Sequence, residues 1–367
     1  MRILLIGEYS GVHSNLAHGL RQLGHEVVVA SDGDGWKNYK RDLEYAFNES
    51  KWSRIKHLLE VLLGKFKGYD VVQVINYQML VLSSNDTFNN LFFNQILKGN
   101  KKFFLGAFGD DYFWVKSCQQ NQYKYSQFNH LSDAVSCIDK IHINKLGKLT
   151  NTMMADKADG IIAGLYEYYH AYDLAGYSEK LTYIPFPIII EAHPYQKNIV
   201  NPDEKIKIFM GIQKHRATWK GSDVLLQCLN ELVANNPDKV ELFVAENVPF
   251  HEYKKMYSNC NVLVDQLFSY SPAMNALNAM AQGKILVGGG ESECYELYNE
   301  TESFPIINVT PDVEQIKKAL INLINQKDNF EQLGKASHDF VVKHHESVNV
   351  AKIYLEFWQK GPGNETN

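Results

Sequence analysis

The most constraining feature of this sequence is a strand, a helix and a second strand that follow one another within residues 261–290. Residues 261–266 are a short apolar run rich in Val and Leu, which is typical of a buried strand. Ser271 and Pro272 then supply an N-cap hydroxyl and a proline for the first helical position, and Gly283 marks the end of the helix. Residues 284–287 form the next strand, before three glycines. This βαβ order predicts an α/β fold.

The start of that predicted helix suits an anion. A helix N-terminus that follows a strand offers unpaired N–H groups and the positive end of the helix dipole, and both favour phosphate. The amides of Ala273 and Met274 would be the donors, because Pro272 has none. The alternative is an ordinary βαβ crossover with a capped helix and no ligand.

Length and composition limit the classes of protein. The 367 residues suffice for two domains, and the net charge of -5 gives no indication of nucleic-acid binding. No run approaches the roughly 20 apolar residues of a membrane span. The five cysteines are scattered without a CxxC pair, which argues against a zinc site or a disulfide scaffold. Since Met1 and Arg2 lead directly into a strand, we expect no signal peptide and a cytoplasmic location.

The strand and helix pattern occurs twice along the chain. The first half begins with a strand, a helix and a strand within residues 2–30, and the second half restarts at residue 206. Between them, Pro185 and Pro187 indicate a linker, because neither proline can remain in a helix or central strand. We therefore expect domains at 1–190 and 191–345, and a terminal helix with a tail at 346–367.

Two loops of the first half are candidates for ligand contact. Gly11, after the first strand, permits close approach of a ligand, although the loop is not GxGxxG and a plain tight turn explains it equally well. Asp110 and Asp111 end a glycine-punctuated loop at the carboxyl end of a strand, where α/β proteins bind ligands. One of these acids can serve as a general base, and the alternative is helix capping or a solvated turn.

The loop at residues 212–220 of the second half is rich in cations. Lys214, Arg216 and Lys220 precede a helix predicted from residue 222. Cations beside a helix N-terminus make a site for a multiply charged anion.

A basic segment at residues 36–68 stands out in an acidic chain. It carries eight Lys and Arg against four acids, and Trp52, Ile55, Leu59 and Leu62 recur at helical spacing. A basic amphipathic helix of this kind can lie on an anionic membrane face, which would place the protein peripherally at the inner membrane. The alternative is a surface helix whose apolar stripe covers the sheet.

In order and spacing, several motifs resemble those of GT-B glycosyltransferases of family 4. They are GEYSGVHSNLAHGLRQLGHEV, ADKADGIIA and YIPFPI in the first half, and WKG, DQL, NAMAQGK and HHESVNVAKIYLEF in the second. NAMAQGK resembles the family signature E-A-M-A-x-G-K. The resemblance implies two Rossmann-like domains, with a C-terminal helix that packs back on the first.

The resemblance also implies roles for individual residues. The second domain would bind a nucleoside-diphosphate sugar, with Lys220 at the position of the family lysine that holds the diphosphate. Arg216 or Lys214 would replace the family arginine, whose position is Ile212 here. Tyr270, next to Ser271, and Asn278 stand where many members have glutamates that contact the donor, and Asn278 can hydrogen-bond ribose. Asp110 or Asp111 would orient or deprotonate a glycan or lipid-linked acceptor bound by the first domain.

We therefore expect an enzyme that transfers a sugar to a hydroxyl, with retention and without a metal or cofactor, in glycan or polysaccharide biosynthesis. One alternative is a non-catalytic GT-B subunit that binds a nucleotide or a partner enzyme, since both glutamates are replaced. Another is a sugar-nucleotide epimerase. That chemistry needs several acids, and the second half offers few near the site beyond Glu291, Glu293 and Glu296.

Overall fold

The computed structural model describes residues 1–45, 52, 55–56, 59–60, 63–81, 86–130, 142–213, 216–246, 248, 250–301 and 305–361. The chain divides into two compact units. The first unit comprises Met1–Gln120, Ser136–Ile189 and Ser347–Asn367, and the second comprises Asn121–Val135 and Ile190–Glu346. The segment Asn121–Val135 thus groups with the second half of the chain, although it is flanked on both sides by elements of the first unit.

Two parallel sheets form the centres of the two units. The first contains β1 (Arg2–Ile6), β2 (Glu26–Ser31), β3 (Leu43–Glu44), β4 (Val71–Val74), β5 (Lys102–Ala107), β6 (Gly160–Ala163) and β7 (Leu181–Tyr183). The second contains β8 (Ile206–Ile212), β9 (Val240–Glu246), β10 (Val262–Val264), β11 (Ile285–Gly288) and β12 (Ile306–Asn308).

Helices connect these strands along the chain. In order they are α1 (Val12–Gln22), α2 (Asp86–Gly99), α3 (Tyr112–Gln119), α4 (Gln127–His130), α5 (Lys145–Lys157), α6 (Tyr166–Leu174), α7 (Ala217–Lys220), α8 (Ser222–Asn235), α9 (Phe250–Ser258), α10 (Met274–Ala281), α11 (Ser292–Glu296), α12 (Val313–Ile324), α13 (Phe330–His345) and α14 (Ser347–Lys360). Within the described residues, no helix is long and apolar enough to cross a membrane.

Both sheets have a doubly wound order with a topological switch point. The first sheet runs β3-β2-β1-β4-β5-β6-β7, and the second runs β12-β11-β10-β8-β9. The strand order reverses between β1 and β4 in the first sheet and between β8 and β10 in the second. Ligands of such sheets bind beyond the carboxyl ends of the strands at this point. The α/β prediction with two Rossmann-like domains is confirmed.

The strands form where the sequence has continuous apolar runs. Ile3, Leu4, Leu5 and Ile6 of β1 are fully buried, as expected for a parallel strand covered on both faces. In the second unit the buried core joins sheet to helices, for example Met210 and Val287 with Leu229 and Ile316. Burial of such side chains contributes about 1.5–3 kcal/mol each.

The C-terminal helix α14 packs in the first unit, which confirms that prediction. A Cβ at Gly19 of α1 would meet the carbonyl of Ser347, so glycine permits the close approach of the two helices. The Trp358 ring is fully buried beside Phe104, with ring centroids 6.2 Å apart. Lys102 Nζ donates a hydrogen bond to the Trp358 carbonyl at 2.7 Å.

Helix α10 begins later than the sequence predicts. Ser271 and Pro272 do not start it, because Ala273, the N-cap residue, is still extended. The Ser271 carbonyl instead accepts a hydrogen bond from Ser269 Oγ at 2.7 Å. The helix therefore runs from Met274, without a side-chain cap from the described residues.

Candidate functional site

In the second unit, three loops meet at the carboxyl ends of adjacent strands. They are residues 213 and 216–221 after β8, residues 265–273 after β10 and residues 289–291 after β11. Because β11, β10 and β8 are neighbours in the sheet, the loops form one surface at the switch point.

Backbone contacts hold these loops together. The amide of Leu267 donates to the carbonyl of Lys220 at 2.9 Å, and the amide of Glu291 donates to the carbonyl of Tyr270 at 3.1 Å. A Cβ at Gly289 would meet the carbonyl of Ser269, so this position requires glycine. Of the three glycines of the sequence, Gly289 thus serves close backbone packing within the site.

The predicted cations lie on the first of these loops. Arg216 is the N-cap residue of α7, and Lys220 is its last residue. Gly221 follows in the left-handed region with φ 68°, so that α8 can begin at Ser222. Lys214 lies outside the described residues, and its role stays a prediction.

The predicted anion donors lie on the second loop. Ala273 is the N-cap residue of α10 and Met274 its first residue, while Ser271 is buried just before them. Because no described side chain caps this helix, its first amides keep the character of an anion site.

Asn275 and Asn278 share one face of α10 but differ in their partners. Asn275 Oδ1 accepts from the Tyr253 hydroxyl at 3.0 Å, and its Nδ2 donates to Asp265 at 3.4 Å. Asn278 Oδ1 is buried and has no hydrogen-bond partner among the described residues. An unpaired buried amide oxygen costs about 1–3 kcal/mol, so a ligand hydroxyl that donates to Asn278 would recover this free energy.

Residues 121–130, which belong to the second unit, pack against the same surface. The Phe128 ring packs edge-on against Trp219 of α7, with centroids 5.5 Å apart. The Tyr125 ring stacks on Tyr270 at 4.7 Å, and burial raises the pKa of the Tyr270 hydroxyl to about 12. Tyr270 is therefore enclosed by protein on its ring and at its hydroxyl, which accepts from the Tyr125 amide at 3.1 Å.

Glu291 is a carboxylate of this surface that the sequence analysis names only among the acids considered for an epimerase. Its Oε1 accepts from Asn308 Nδ2 at 2.6 Å and from the Tyr125 hydroxyl at 3.1 Å. Its Oε2 lies 3.2 Å from Lys124 Nζ, which also pairs with Glu293 at 2.6 Å. The richness of residues 112–128 in aromatic side chains was the one sequence feature that could have drawn attention to this segment.

In the first unit, the structure separates the roles of the two predicted acids. Asp111 caps α3: its Oδ1 accepts from the Trp114 amide at 2.9 Å, and its Oδ2 accepts from the Tyr172 hydroxyl at 2.8 Å. It is buried, and burial raises the pKa of its carboxyl to about 7. Asp110 is only half-buried, and its Oδ1 accepts from the Tyr168 hydroxyl at 3.2 Å. The helix-capping alternative holds for Asp111, and Asp110 is the more accessible acid.

Contacts within the protein explain why position 11 is a glycine. It adopts φ 92°, and a Cβ there would contact the Tyr39 ring. Its amide donates to Glu8 Oε1 at 3.0 Å. Glu8 also accepts from the amides of His13 and Ser14, so a protein carboxylate already occupies the N-terminus of α1. This arrangement gives the tight-turn alternative a physical basis, and ligand contact at Gly11 stays a prediction.

The structure therefore sorts the predicted residues into two sets. On the loops at the second sheet's carboxyl edge lie Arg216, Lys220, Tyr270, Ser271 and Ala273, and the helix α10 that follows carries Met274 and Asn278. Gly11, Asp110 and Asp111 lie on the carboxyl edge of the first sheet. Within the described part of the chain, no group of three or more His, Cys, Asp or Glu side chains could hold a metal ion.

Within the basic segment, several described apolar side chains are exposed, although Tyr45 and Phe66 are buried. Trp52, Ile55 and Leu59 lie on helical backbone and are 80%, 47% and 51% exposed, and Leu63 is 82% exposed. A helix that covered the sheet would bury these side chains. Leu62, the fourth member of the predicted stripe, lies outside the described residues.

Comparison with known proteins identifies the fold. No protein-family model matches the chain, and neither does any curated protein. Among solved structures, HepE of Anabaena in complex with UDP-glucose is similar over 98% of this chain and 100% of its own, with a TM-score of 0.62 and 12% identity. Sucrose-phosphate synthase of Thermosynechococcus elongatus is similar over 98% of this chain and 99% of its own, with a TM-score of 0.65 and 13% identity.

A third similar structure is the catalytic domain of starch synthase IV from Arabidopsis thaliana, bound to ADP and acarbose. It matches 98% of this chain and 99% of its own, with a TM-score of 0.61 and 9% identity. These similarities span both units. The chain thus has the GT-B fold of glycosyltransferases.

Proposed function

We propose that this protein is a glycosyltransferase that moves a sugar from a nucleoside-diphosphate sugar to a hydroxyl acceptor. The observation that carries the proposal is the surface at the β8/β10 switch point. There, Arg216 and Lys220 lie on the loop beside α8, and the first amides of α10 lack a side-chain cap. Bound UDP-glucose in HepE and bound ADP in starch synthase IV support a nucleotide donor.

The chemistry requires stabilisation of a leaving anion. In the transfer, the bond between the anomeric carbon and the diphosphate oxygen breaks, and the acceptor oxygen bonds to that carbon. The departing diphosphate gains negative charge, which Arg216, Lys220 and helix amides can stabilise without a metal. We assign Asp110 the task of orienting the acceptor hydroxyl or accepting its proton, and Asp111 the task of holding the loop. The outcome would be retention, in glycan or polysaccharide biosynthesis.

Binding to UDP and ADP, followed by turnover, tests this proposal. Calorimetry of the full chain with UDP, ADP, GDP and dTDP should give micromolar affinity for one of them, and the matching sugar nucleotide should release its diphosphate in the presence of an acceptor. Asp110→Asn should reduce turnover by about 10²–10⁴-fold and leave diphosphate affinity unchanged. Diphosphate binding without turnover on any donor would favour the non-catalytic subunit, and absence of binding to all four would overturn the proposal.

The exposed stripe on the basic segment supports a peripheral membrane contact. Trp52, Ile55, Leu59 and Leu63 expose apolar surface, and residues 36–68 carry a local net charge of +4 from eight cations and four acids. Anionic lipid complements both properties. We therefore propose that this segment brings the protein to an anionic membrane surface, as a lipid-linked acceptor would require.

A further inference from the structure

We propose that Glu291 binds hydroxyl groups of the transferred sugar and selects neutral sugars over acidic ones. This inference rests on the proposed function, because it names the sugar-recognising residue of the same donor site. The site of contact would be Glu291 Oε2, at the edge of the surface formed by residues 213, 216–221, 265–273 and 289–291.

The position of Glu291 favours this role. It follows β11 at the carboxyl edge of the sheet, directly after three glycines. Its amide donates to the carbonyl of Tyr270, in the loop that leads into α10. Its backbone is therefore fixed to the same loop that leads to the proposed phosphate donors, Ala273 and Met274.

The two oxygens of Glu291 have different surroundings. Oε1 is held by Asn308 and by Tyr125, at 2.6 and 3.1 Å, and these two buried or half-buried partners fix the carboxylate orientation. Oε2 bonds to Lys124, whose side chain is 56% exposed, whereas that of Glu291 is 9% exposed. Oε1 is therefore held by two side chains of the fold, whereas Oε2 contacts only the long, exposed side chain of Lys124.

The contact between Lys124 and Glu291 Oε2 is the exchangeable one. An ion pair with an exposed lysine contributes little to stability, because water competes for both partners. Lys124 also keeps a shorter bond to Glu293 at 2.6 Å, so it can leave Glu291 without losing its charge partner. A sugar hydroxyl could then donate to Oε2, since an ionised carboxylate accepts several hydrogen bonds.

The charges predict which sugars fit. Glu291 and Glu293 place two carboxylates beside the site against one lysine. A neutral sugar can donate hydroxyl hydrogen bonds to Glu291, whereas the carboxylate of a uronic acid would be repelled. The expected donor is thus a nucleoside diphosphate that carries a neutral sugar.

The proposal is tested by the ratio of the affinity for a sugar nucleotide to the affinity for its parent diphosphate. For wild type and Glu291→Gln, calorimetry would measure binding of UDP, UDP-glucose, UDP-galactose, UDP-N-acetylglucosamine and UDP-glucuronate, together with ADP and ADP-glucose. We expect Glu291→Gln to weaken the best neutral sugar nucleotide about tenfold and to change its parent diphosphate less than twofold. Wild type should bind UDP-glucuronate less tightly than that neutral donor.

Two further variants separate recognition from structure. Glu293→Gln keeps Glu291 but removes the other partner of Lys124, so it should weaken binding of the sugar nucleotide less than Glu291→Gln does. Lys124→Ala should preserve or improve binding of the sugar nucleotide, because it removes the competing cation. A loss in Lys124→Ala as large as that in Glu291→Gln, an equal loss of diphosphate and sugar nucleotide in Glu291→Gln, or no loss at all would overturn the assignment. If wild type binds none of the diphosphates, the proposed function itself fails, which is a distinct result.

Discussion

Tyr125 lies nearly flat on Tyr270, with ring centroids 4.7 Å apart and ring planes inclined by 21°. Such aromatic pairs contribute about 0.5–1.5 kcal/mol beyond burial. The family resemblance places Tyr270 where relatives hold a donor-contacting glutamate, yet here both ring and hydroxyl are engaged by residues of the same unit. Under the proposed function, donor recognition therefore depends on other residues, and the predictions below concern them.

Lys220 should hold the diphosphate. We expect Lys220→Ala to weaken binding of the best nucleoside diphosphate by roughly 1.5–3 kcal/mol, the contribution of a hydrogen bond to a charged group. Calorimetry measures this change. Lys317→Ala is the matched control, because Lys317 pairs with Glu231 elsewhere on the same unit. Equal affinity in wild type and Lys220→Ala would remove Lys220 from the site.

Asn278 should contact the ribose. Since its Oδ1 has no hydrogen-bond partner among the described residues, Asn278→Leu should weaken diphosphate binding by about 1–3 kcal/mol with little loss of stability. Asn275→Leu is the contrasting variant: it breaks the bonds to Tyr253 and Asp265 and should lower the melting temperature instead. The ribose assignment does not survive if Asn278→Leu binds diphosphate as tightly as wild type.

Asp111 should make stability depend on pH. Its carboxyl pKa rises from 3.8 to about 7 on burial in the folded chain. The folded state therefore binds this proton more tightly than the unfolded state. The contribution of the protonated carboxyl to the free energy of unfolding is complete below about pH 3.8 and is lost as the pH rises through about 7. Asp111→Asn does not titrate, so its melting temperature should improve relative to wild type between pH 5 and pH 8. If the difference in melting temperature between Asp111→Asn and wild type is the same at pH 5 and pH 8, the raised pKa of Asp111 is contradicted.

The exposed stripe should bind anionic vesicles. Co-sedimentation with vesicles that contain phosphatidylserine should exceed that with neutral phosphatidylcholine and should fall as salt is raised, because screening weakens attraction to the headgroups. A Trp52→Ser and Leu59→Ser double variant should lose binding. Leu174→Ser, on α6, removes an exposed leucine outside the stripe and should not. Equal recovery on both vesicle types at low salt would leave no support for a membrane contact.

Most strands could be predicted from sequence because buried parallel strands are continuous apolar runs. The strand predicted at residues 261–266, for example, is β10 (Val262–Val264), and the one predicted at residues 284–287 is β11 (Ile285–Gly288). Helix α13 was not predicted. Its buried face includes Gly334 and Ser337, which allow close packing but interrupt the apolar periodicity of the helix.

The candidate site was only partly predictable. Loops at strand ends indicated Lys220 and the start of α10, because these signals are local in sequence. Tyr125 and Glu291 are separated by 166 residues, so no local pattern could bring them together. Sequence also could not distinguish Asp110 from Asp111, since burial and the hydroxyl of Tyr172 decide which acid is a helix cap.

The grouping of Asn121–Val135 with the second unit has a consequence for how the protein can be divided and assembled. The chain changes units after residues 120, 135, 189 and 346, so neither half of the sequence is a complete unit. A fragment that ended at residue 189 would contain Tyr125 without Tyr270, and one that began at residue 190 would contain Tyr270 without Tyr125. During synthesis, Tyr125 is made 145 residues before Tyr270, on which it stacks. The stack of Tyr125 on Tyr270 can therefore form only after the first three strands of the second sheet have been made.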